Sequence, residues 1–217
     1  KQLELQGNAV NIDMGITPFG YAWIFPKNDH LSCGIGANRP KLPEFKKYLF
    51  KFLNSHPSTK NFKRVEIKGH PLPHSYSPTI KSNTDRILLV GDAASLVEPL
   101  SGEGIYYALK SRQIAAKYLI NHLRSGESLD AYSAEINESI RAELYYADKF
   151  AALLHKFPKL TFDLGVANPL VYKKFQDLLA SVTSYKQMYD ELKPLYSNSF
   201  VQATGKIVSK VKRIIGK

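Results

Sequence analysis

The sequence predicts an α+β fold in which antiparallel strands come first, one strand–helix unit follows, and helices complete the chain. Three observations predict it. Short β-prone runs separated by turns occupy residues 8–40, an apolar run at 86–90 leads into a long helical pattern, and residues after 125 have helical periodicity. The composition agrees, because 217 residues with 44% hydrophobic and 23% charged side chains are ordinary for a globular protein that buries a core.

The strand region begins with a predicted three-stranded meander, whose turns are Thr17-Pro18 and Lys27-Asn28-Asp29. Its strands are predicted at residues 9–16, 20–26 and 30–37. A helix is predicted at 44–53, where aromatic and leucine side chains recur at helical spacing, and a further strand at 62–68, where the sequence alternates.

The middle of the chain combines one strand with one long helix. The run from Arg86 to Val90 is apolar after its first residue, which is typical of a strand buried on both faces of a parallel sheet. A glycine-containing loop follows, and a helical pattern then extends from Gly104 to Arg124. Further helices are predicted at 129–157, 169–180 and 181–193.

The net charge of +11 is concentrated in two segments. Residues 41–84 hold nine basic and two acidic side chains, and residues 206–217 hold five basic side chains and no acidic one. Such segments suit nucleic acid, anionic lipid headgroups or a diphosphate substrate, and a solvated lysine-rich surface is the plain alternative. The tail at 207–215 is amphipathic and basic, so it either rests on an anionic membrane or frays. No nucleic-acid recognition motif is present, and we predict no nucleic-acid partner.

Several function classes are excluded by residues that the chain lacks. A single cysteine, Cys33, rules out an internal disulfide framework and a cysteine-rich zinc cage, and it is expected to be a small buried hydrophobe. His70 and His74 have helical ligand spacing, but Pro71 and Pro73 prevent that helix, so no metal site is predicted. Without an 18-residue apolar window or a secretory signal, the expected location is cytoplasmic, with peripheral membrane contact as a further possibility.

The stretch from 85 to 124 carries the most specific chemistry. Gly91 allows a ligand to approach the backbone closely, and Asp92 follows a strand, where its carboxylate can accept hydrogen bonds from ligand hydroxyls. Pro99 restricts the loop, while Gly102 and Gly104 keep side chains away from the amides at the start of the helix. Those amides favour binding of an anion or a polarised carbonyl, so the stretch predicts a binding site for the phosphates and the ring of a flavin nucleotide.

The order of these residues, from Arg86-Ile-Leu-Leu-Val-Gly-Asp-Ala-Ala to Glu98-Pro-Leu-Ser-Gly-Glu-Gly-Ile, resembles the second FAD-contacting segment of the geranylgeranyl reductase family. That family belongs to the flavoproteins related to p-hydroxybenzoate hydroxylase. A second motif supports the resemblance: Tyr21-Ala-Trp23-Ile-Phe25-Pro26-Lys27, then eight residues to Gly36, matches the Tyr-x-Trp-x-Phe-Pro-Lys-x8-Gly pattern of the family. The first motif occurs in several related flavoenzymes, whereas the second is much narrower.

The resemblance implies an FAD-dependent oxidoreductase that reduces C=C bonds of prenyl chains by hydride transfer from reduced flavin. It implies that Asp92 binds the ribityl–pyrophosphate part of FAD, next to Gly91, and that Pro99, Gly102 and Gly104 lie along the flavin. It further implies that an isoprenoid chain, in a prenyl lipid or a prenylated small molecule, meets the flavin beside a wall of five residues. These are Tyr21, Trp23, Phe25, Pro26 and Lys27. No catalytic residue is assigned; Glu103 is either a proton relay or a first-turn acid.

One departure from the family is large, because no Gly-x-Gly-x-x-Gly segment for the ADP half of FAD occurs in the 217 residues. We therefore expect an amino-terminal FAD-binding half to be missing, and expect this chain alone to bind FAD poorly. The chain is then divided into the latter part of a substrate domain at 1–84, a returning FAD-binding segment at 85–124, and a helical carboxyl-terminal region at 125–217.

Two alternative functions remain open at this point. A related flavin monooxygenase or halogenase acting on an aromatic substrate would share the first motif, but the Tyr-x-Trp-x-Phe-Pro-Lys stretch counts against it. A lipid-binding module without enzymatic activity would use aromatic residues and the basic surface, yet it would not need the Gly-Asp and Pro-x-x-Gly-x-Gly device. The sequence leaves the electron donor open between NAD(P)H and ferredoxin.

Overall fold

A computed structural model of the chain describes residues 7–38, 42–62, 66–74, 76–77, 79–180 and 182–198. The described residues form two compact units. The sheet unit comprises residues up to 70 together with 155–158, and the helical unit comprises 71–154 together with residues from 159 onward. The predicted amphipathic tail at 207–215 lies outside the described residues.

The sheet unit contains a three-stranded antiparallel meander in the order β1-β2-β3. The strands are β1 at Asn11–Met14, β2 at Gly20–Pro26 and β3 at Leu31–Ala37. In the register Tyr21 pairs with Gly36 and Trp23 with Gly34, while Ile24 pairs with Cys33. Alternation along β2 buries Ala22 and Ile24 completely, so one face of the sheet is the core of this unit.

A helix covers the core face of this sheet. Helix α1 spans Leu42–Ser55, and its Phe52 and Leu53 are buried against Ala22, Ile24 and Ile35. After the helix, the Thr59 hydroxyl donates to the Leu53 carbonyl at 2.7 Å, which satisfies an acceptor at the helix end. The predicted meander and helix are confirmed. The strand predicted at 62–68 is absent from its described residues, 62 and 66–68, which pair with no neighbouring strand.

In its described residues, the helical unit has a three-residue-per-turn segment at Gly91–Ala94, six α-helices and one π turn. Helix α2 spans Ile105–Ser125, α3 spans Ala131–Ile136, and a π turn at Asn137–Arg141 joins α3 to α4 at Ala142–Lys156. Helices α5, α6 and α7 span Pro158–Ala167, Pro169–Leu179 and Tyr185–Asn198.

The core of the helical unit lies between α2 and the α3–α4 segment. Apolar side chains four residues apart on α3, the π turn and α4 are completely buried and face Tyr107 and Ile114 of α2. The members of this stripe are Tyr132, Ile136, Ile140 and Leu144. Helix α2 ends at Gly126, whose φ of 71° places it in the left-handed region and whose N–H donates to the His122 carbonyl at 2.9 Å.

The structure corrects the sequence prediction at 86–90. This segment is no paired strand: it makes one bridge, between Leu88 and Asn83, and leaves Ile87, Leu89 and Val90 exposed. A buried parallel strand needs hydrogen-bonded neighbours on both sides, and no described segment runs parallel to it. The helix at 158–167 was not predicted, because Pro158 was read as a stop although proline suits a first helical turn.

Candidate functional site

The Gly91–Ala94 turn directly follows the exposed apolar segment and is held by hydrogen bonds. The Gly91 N–H donates to the buried Ser111 hydroxyl of α2 at 3.0 Å. The Ser95 N–H reaches the Asp92 carbonyl at 2.9 Å, and the Leu96 N–H reaches the Gly91 carbonyl at 3.1 Å. Gly91 has a φ of +52°, and a Cβ there would lie 3.0 Å from the Ala108 Cβ, so this position suits only glycine.

The loop between this turn and α2 is organised by Glu98, which is 2% exposed. Its carboxylate accepts the Leu100 N–H at 2.8 Å, the Ser101 N–H at 2.6 Å and the Ser101 hydroxyl at 2.5 Å. Its main chain closes the loop as well, since the Glu98 N–H donates to the Glu103 carbonyl at 2.8 Å and the Gly102 N–H donates to the Glu98 carbonyl at 2.9 Å. Charge-assisted bonds of this kind hold a loop in one geometry.

The start of α2 is bare of side chains that could cap it. Gly104 occupies the cap position and therefore provides no side-chain cap, and no acidic residue lies in the first turn. A Cβ on Gly104 would lie 3.0 Å from Oδ1 of Asp92, so the exposed Asp92 carboxylate lies beside the helix start. The structure therefore brings Gly91, Asp92 and Gly104 together, with open amides at the positive end of a 21-residue helix.

Tyrosines surround the buried Glu98 on the interior side of the loop. Burial, and then the charge of Glu98 and a hydrogen bond with it, raise the pKa of Tyr185 in α7. Burial and then the Glu98 charge raise the pKa of Tyr107, and burial with the charges of Asp148 and Glu98 raises that of Tyr76. These phenols therefore stay protonated at neutral pH.

The aromatic residues of the second motif form one row on β2. The ring centroids of Tyr21 and Trp23 are 5.9 Å apart, and those of Trp23 and Phe25 are 6.2 Å apart. All three side chains are half-buried and lie on the face of the sheet opposite the buried Ala22 and Ile24. Pro26 ends β2 and is half-buried, and the exposed Lys27 follows it in the turn, where its N–H donates to the His30 carbonyl at 2.9 Å.

The remaining predicted site residues take ordinary places. Pro99 is half-buried, and Gly102 has a φ of +78°, a conformation that favours glycine at the point where the loop turns toward α2. Glu103 is exposed. Burial raises the pKa of Cys33 to about 11, so its thiol is not ionised at neutral pH. Within the ranges described, no three His, Cys, Asp or Glu side chains gather to hold a metal ion.

Two residues important to these geometries were missed by sequence reasoning. Glu98 was quoted only as part of a motif, although an acid before Pro99 and three residues before Ser101 is a local signal for side-chain bonds to loop amides. Gly34 is not among the site residues that the sequence predicts. Its role depends on Trp23 in the neighbouring strand, and no local pattern reports that contact.

Comparisons with known proteins identify the class. The geranylgeranyl reductase catalytic domain family matches residues 2–70, and an FAD binding domain family matches residues 37–144. A solved geranylgeranyl bacteriochlorophyll reductase-like protein from Thermoplasma acidophilum has a TM-score of 0.62 and 25% identity, covering 86% of this chain and 50% of that one. The fold is thus similar to that of an FAD-binding flavoprotein.

Curated proteins with similar sequences indicate which flavoproteins this chain resembles. A digeranylgeranylglycerophospholipid reductase from Methanosphaera stadtmanae is 39% identical over 133 residues, covering 58% of this chain and 33% of the relative. A chloroplastic geranylgeranyl diphosphate reductase from Nicotiana tabacum is 34% identical over 114 residues, covering 52% and 24%. An uncharacterized protein from Methanosarcina barkeri is 34% identical over 146 residues, covering 65% and 37%. The chain fits the geranylgeranyl reductase family, which confirms the predicted resemblance, and it spans 24–37% of these relatives.

Proposed function

We propose that this chain contributes to an FAD-dependent oxidoreductase of the geranylgeranyl reductase type, which reduces C=C bonds of prenyl chains. The observation that supports this most is the meeting of the Gly91–Ala94 turn, the Asp92 carboxylate and the uncapped start of α2. The match of the FAD binding domain family over 37–144 includes all of these residues.

The residues of this site fit FAD. The space that a Cβ on Gly104 would fill lies beside Asp92, so a ligand can contact the backbone and the carboxylate at once. Asp92 would accept hydrogen bonds from the ribityl hydroxyls, and the open amides of α2 would face the pyrimidine edge of the flavin. Pro99 and Gly102 would hold the loop alongside it. Reduced FAD, when bound, supplies the hydride.

The aromatic row suits a wall for a prenyl chain. Tyr21, Trp23 and Phe25 are half-buried on the face away from the core of the sheet unit, so they are not needed to fill that core. A continuous apolar surface with one indole and one phenol is what an isoprenoid would contact. Pro26 and Lys27 would complete this wall, and the lysine would remain at its solvated end.

An amino-terminal FAD-binding half is the partner that the exposed apolar surface fits. This surface, here called the α2 face, consists of two exposed residues of α2 and three exposed residues of the segment before the Gly91–Ala94 turn. They are Ile105 and Leu109, and Ile87, Leu89 and Val90. Ile105 is 77% exposed, although the loop before it is rigidly bonded. Such a face on a monomer marks an interaction site, and the chain spans only part of its relatives. A strand pairing beside 86–90 would cover the face and supply the absent nucleotide-binding segment.

The substrate is proposed to be a prenyl lipid or a prenylated small molecule, and the electron donor to be NAD(P)H or ferredoxin. No helix in the described ranges is long and apolar enough to cross a membrane. A cytoplasmic location with peripheral contact to an anionic membrane through 207–215 stays a prediction, since that tail lies outside the described residues.

The first experiment is a flavin titration by fluorescence quenching. The chain would be titrated alone and after co-production with the amino-terminal half of the Methanosarcina barkeri relative. We expect FAD binding only in the pair, and we expect Asp92→Ala, but not Asp163→Ala on the exposed surface of α5, to weaken it about tenfold or more. Reduced pairs would then be mixed with geranylgeranyl diphosphate, and mass spectrometry would detect two added hydrogens per reduced bond.

The outcomes separate the parts of the proposal. Stoichiometric FAD on the chain alone would contradict the need for an amino-terminal half. Absence of FAD binding both in the chain alone and in the co-produced pair would overturn the flavin assignment. A lipid-binding module without enzymatic activity would then be the remaining hypothesis. Binding of FAD without reduction of the prenyl diphosphate would keep the cofactor and contradict the substrate class.

A further inference from the structure

Arg141 is the largest completely buried side chain in the described part of the helical unit. It lies at the last position of the π turn, and its guanidinium points behind the Gly91–Ala94 turn. Nη2 donates to the Ala94 carbonyl at 2.6 Å and to the Ser82 hydroxyl at 2.9 Å. Nη1 donates to Oδ1 of Asn137 at 2.7 Å. One side chain therefore bonds three separate segments of the chain.

None of these acceptors carries a charge. The guanidinium also reaches the Ile80 carbonyl at 3.4 Å, its Nε has no hydrogen-bond partner, and no carboxylate pairs with it in the described ranges. Burial lowers the pKa of Arg141, which reports the cost of holding this cation away from water. A buried cation among neutral acceptors is expensive, and an apolar residue would fill the same core more cheaply.

The π turn explains how Arg141 reaches this place. Asn137–Arg141 has one residue more per turn than the α-helical segments on either side, while the buried stripe of Ile136, Ile140 and Leu144 continues through it. The π turn begins at Asn137, and the side-chain oxygen of this residue accepts a hydrogen bond from Arg141 at the other end of the turn. Single π turns within α-helices are less stable than regular turns and are retained mostly at functional sites.

We infer that Arg141 is a positioning residue of the flavin site: its guanidinium clamps the Ala94 end of the Gly91–Ala94 turn and so fixes the turn that presents Asp92. Two further side chains bond the start of this turn and the segment before it. Ser111 accepts the Gly91 N–H at 3.0 Å, and the Tyr132 hydroxyl donates to the Leu89 carbonyl at 2.6 Å. Arg141 bonds the other end, at Ala94, after which Ser95 adopts the left-handed conformation. The link to flavin rests on the proposed function, whereas the clamp itself does not.

The clamp is tested on this chain by hydrogen exchange. Arg141→Met removes every donor at nearly constant length, and Arg141→Lys keeps the charge but loses the planar two-nitrogen geometry of the guanidinium. Ile140→Val removes one methylene from the buried cluster that also contains Ala94, while leaving every hydrogen bond of Arg141 in place. We expect exchange at the Ser95 and Leu96 amides to be about tenfold faster in Arg141→Met than in Ile140→Val at matched global stability, with Arg141→Lys between them. Equal exchange in Arg141→Met and Ile140→Val would overturn the clamp.

The functional arm uses the co-produced pair. We expect Arg141→Met to weaken FAD binding about tenfold, with partial recovery in Arg141→Lys, while Ile140→Val leaves the affinity unchanged. Faster exchange in Arg141→Met with unchanged FAD affinity would overturn the positioning role while keeping the clamp. If the unsubstituted pair fails to bind FAD, the proposed function fails, and the exchange measurement still decides the clamp.

Discussion

Gly34 is the residue on which the aromatic row of β2 depends most directly. It pairs with Trp23 across the β2–β3 ladder, and a Cβ at this position would lie 2.1 Å from Cζ2 of the indole. The ring therefore lies across the backbone of β3, where it meets Tyr21 on one side and Phe25 on the other. Gly36, opposite Tyr21, is less constrained, since its Cβ would lie 3.7 Å from the nearest indole atom.

Gly34→Ala is expected to displace the indole and to destabilise the sheet unit by about 1–3 kcal/mol through overpacking. Because the chain contains one tryptophan, fluorescence excited at the red edge of the aromatic absorption band, where its 13 tyrosines absorb little, reports on Trp23. The matched control is Gly36→Ala, which should leave the spectrum and the urea midpoint nearly unchanged. Equal effects of the two substitutions would contradict the contact that we describe.

Cys33 provides a prediction about pH at the same scale. Burial raises the pKa of its thiol from 9.0 to about 11. Between these two pH values the thiol of the folded protein keeps its proton, whereas the thiol of the unfolded protein has lost it. Stability should therefore be unaffected by this group below pH 9 and should fall as pH rises from 9 toward 11. Urea denaturation of the chain and of Cys33→Ala would measure this, and an identical pH slope in both proteins would refute it.

At the scale of elements, the loop between the Gly91–Ala94 turn and α2 is built around one carboxylate. Glu98 satisfies two loop amides and a hydroxyl, so its carboxylate bonds the loop itself, while the cap position of α2 is a glycine without a side-chain acceptor. A loop that capped its own helix would occupy the positive end that a ligand needs. The loop is thus both rigid and open, a combination suited to a preformed binding site.

Glu98→Gln is expected to lower the free energy of unfolding by about 1.5–3 kcal/mol, because charge-assisted bonds become neutral and one donor is left unpaired. Exchange at the Leu100 and Ser101 amides should accelerate with it. Glu103→Gln, five residues on and exposed, is the control and should change neither quantity. If the two substitutions had the same effect on thermal unfolding, the loop would owe its geometry to something other than Glu98.

At the scale of the whole molecule, the described residues form two units with separate cores, and each unit holds some of the candidate site residues. The sheet unit carries the aromatic row, and the helical unit carries the glycine turn, Asp92 and the α2 start. The helical unit exposes an apolar face at α2 that its own core does not need, because Tyr107 and Ile114 fill the opposite side of the helix. This surplus of apolar surface is the property that a partner half would remove from water.

Leu109→Gln is expected to preserve the circular dichroism and thermal midpoint of the chain, since Leu109 is 52% exposed. In the co-produced pair the same substitution should weaken assembly about tenfold, measured by co-purification and by FAD retention. Leu72→Gln, at a comparably exposed leucine outside the α2 face, is the control. Assembly that tolerated Leu109→Gln as well as Leu72→Gln would place the partner elsewhere.

Much of the fold follows from local pattern. The meander, α1 and the long helix α2 were predicted within a few residues, because alternation, helical spacing and turn residues act over short distances. The segment at 86–90 was predicted wrongly as a buried strand, since an apolar run shows a need for burial and not the presence of a neighbour. Glu98 and Arg141 escaped prediction because their partners are fixed by loop and tertiary geometry.

The sequence by itself determined the fold class, the family resemblance and the residue types at the candidate site, since glycines, prolines and aromatic residues at fixed spacing report local backbone and motif constraints. Only the tertiary structure decided that Trp23 lies across Gly34, that Asp92 lies beside the start of α2, and that a buried cation backs the turn. These relations join residues from different elements. Their physical cause is the packing of side chains across strands and helices, which no run of neighbouring residues encodes.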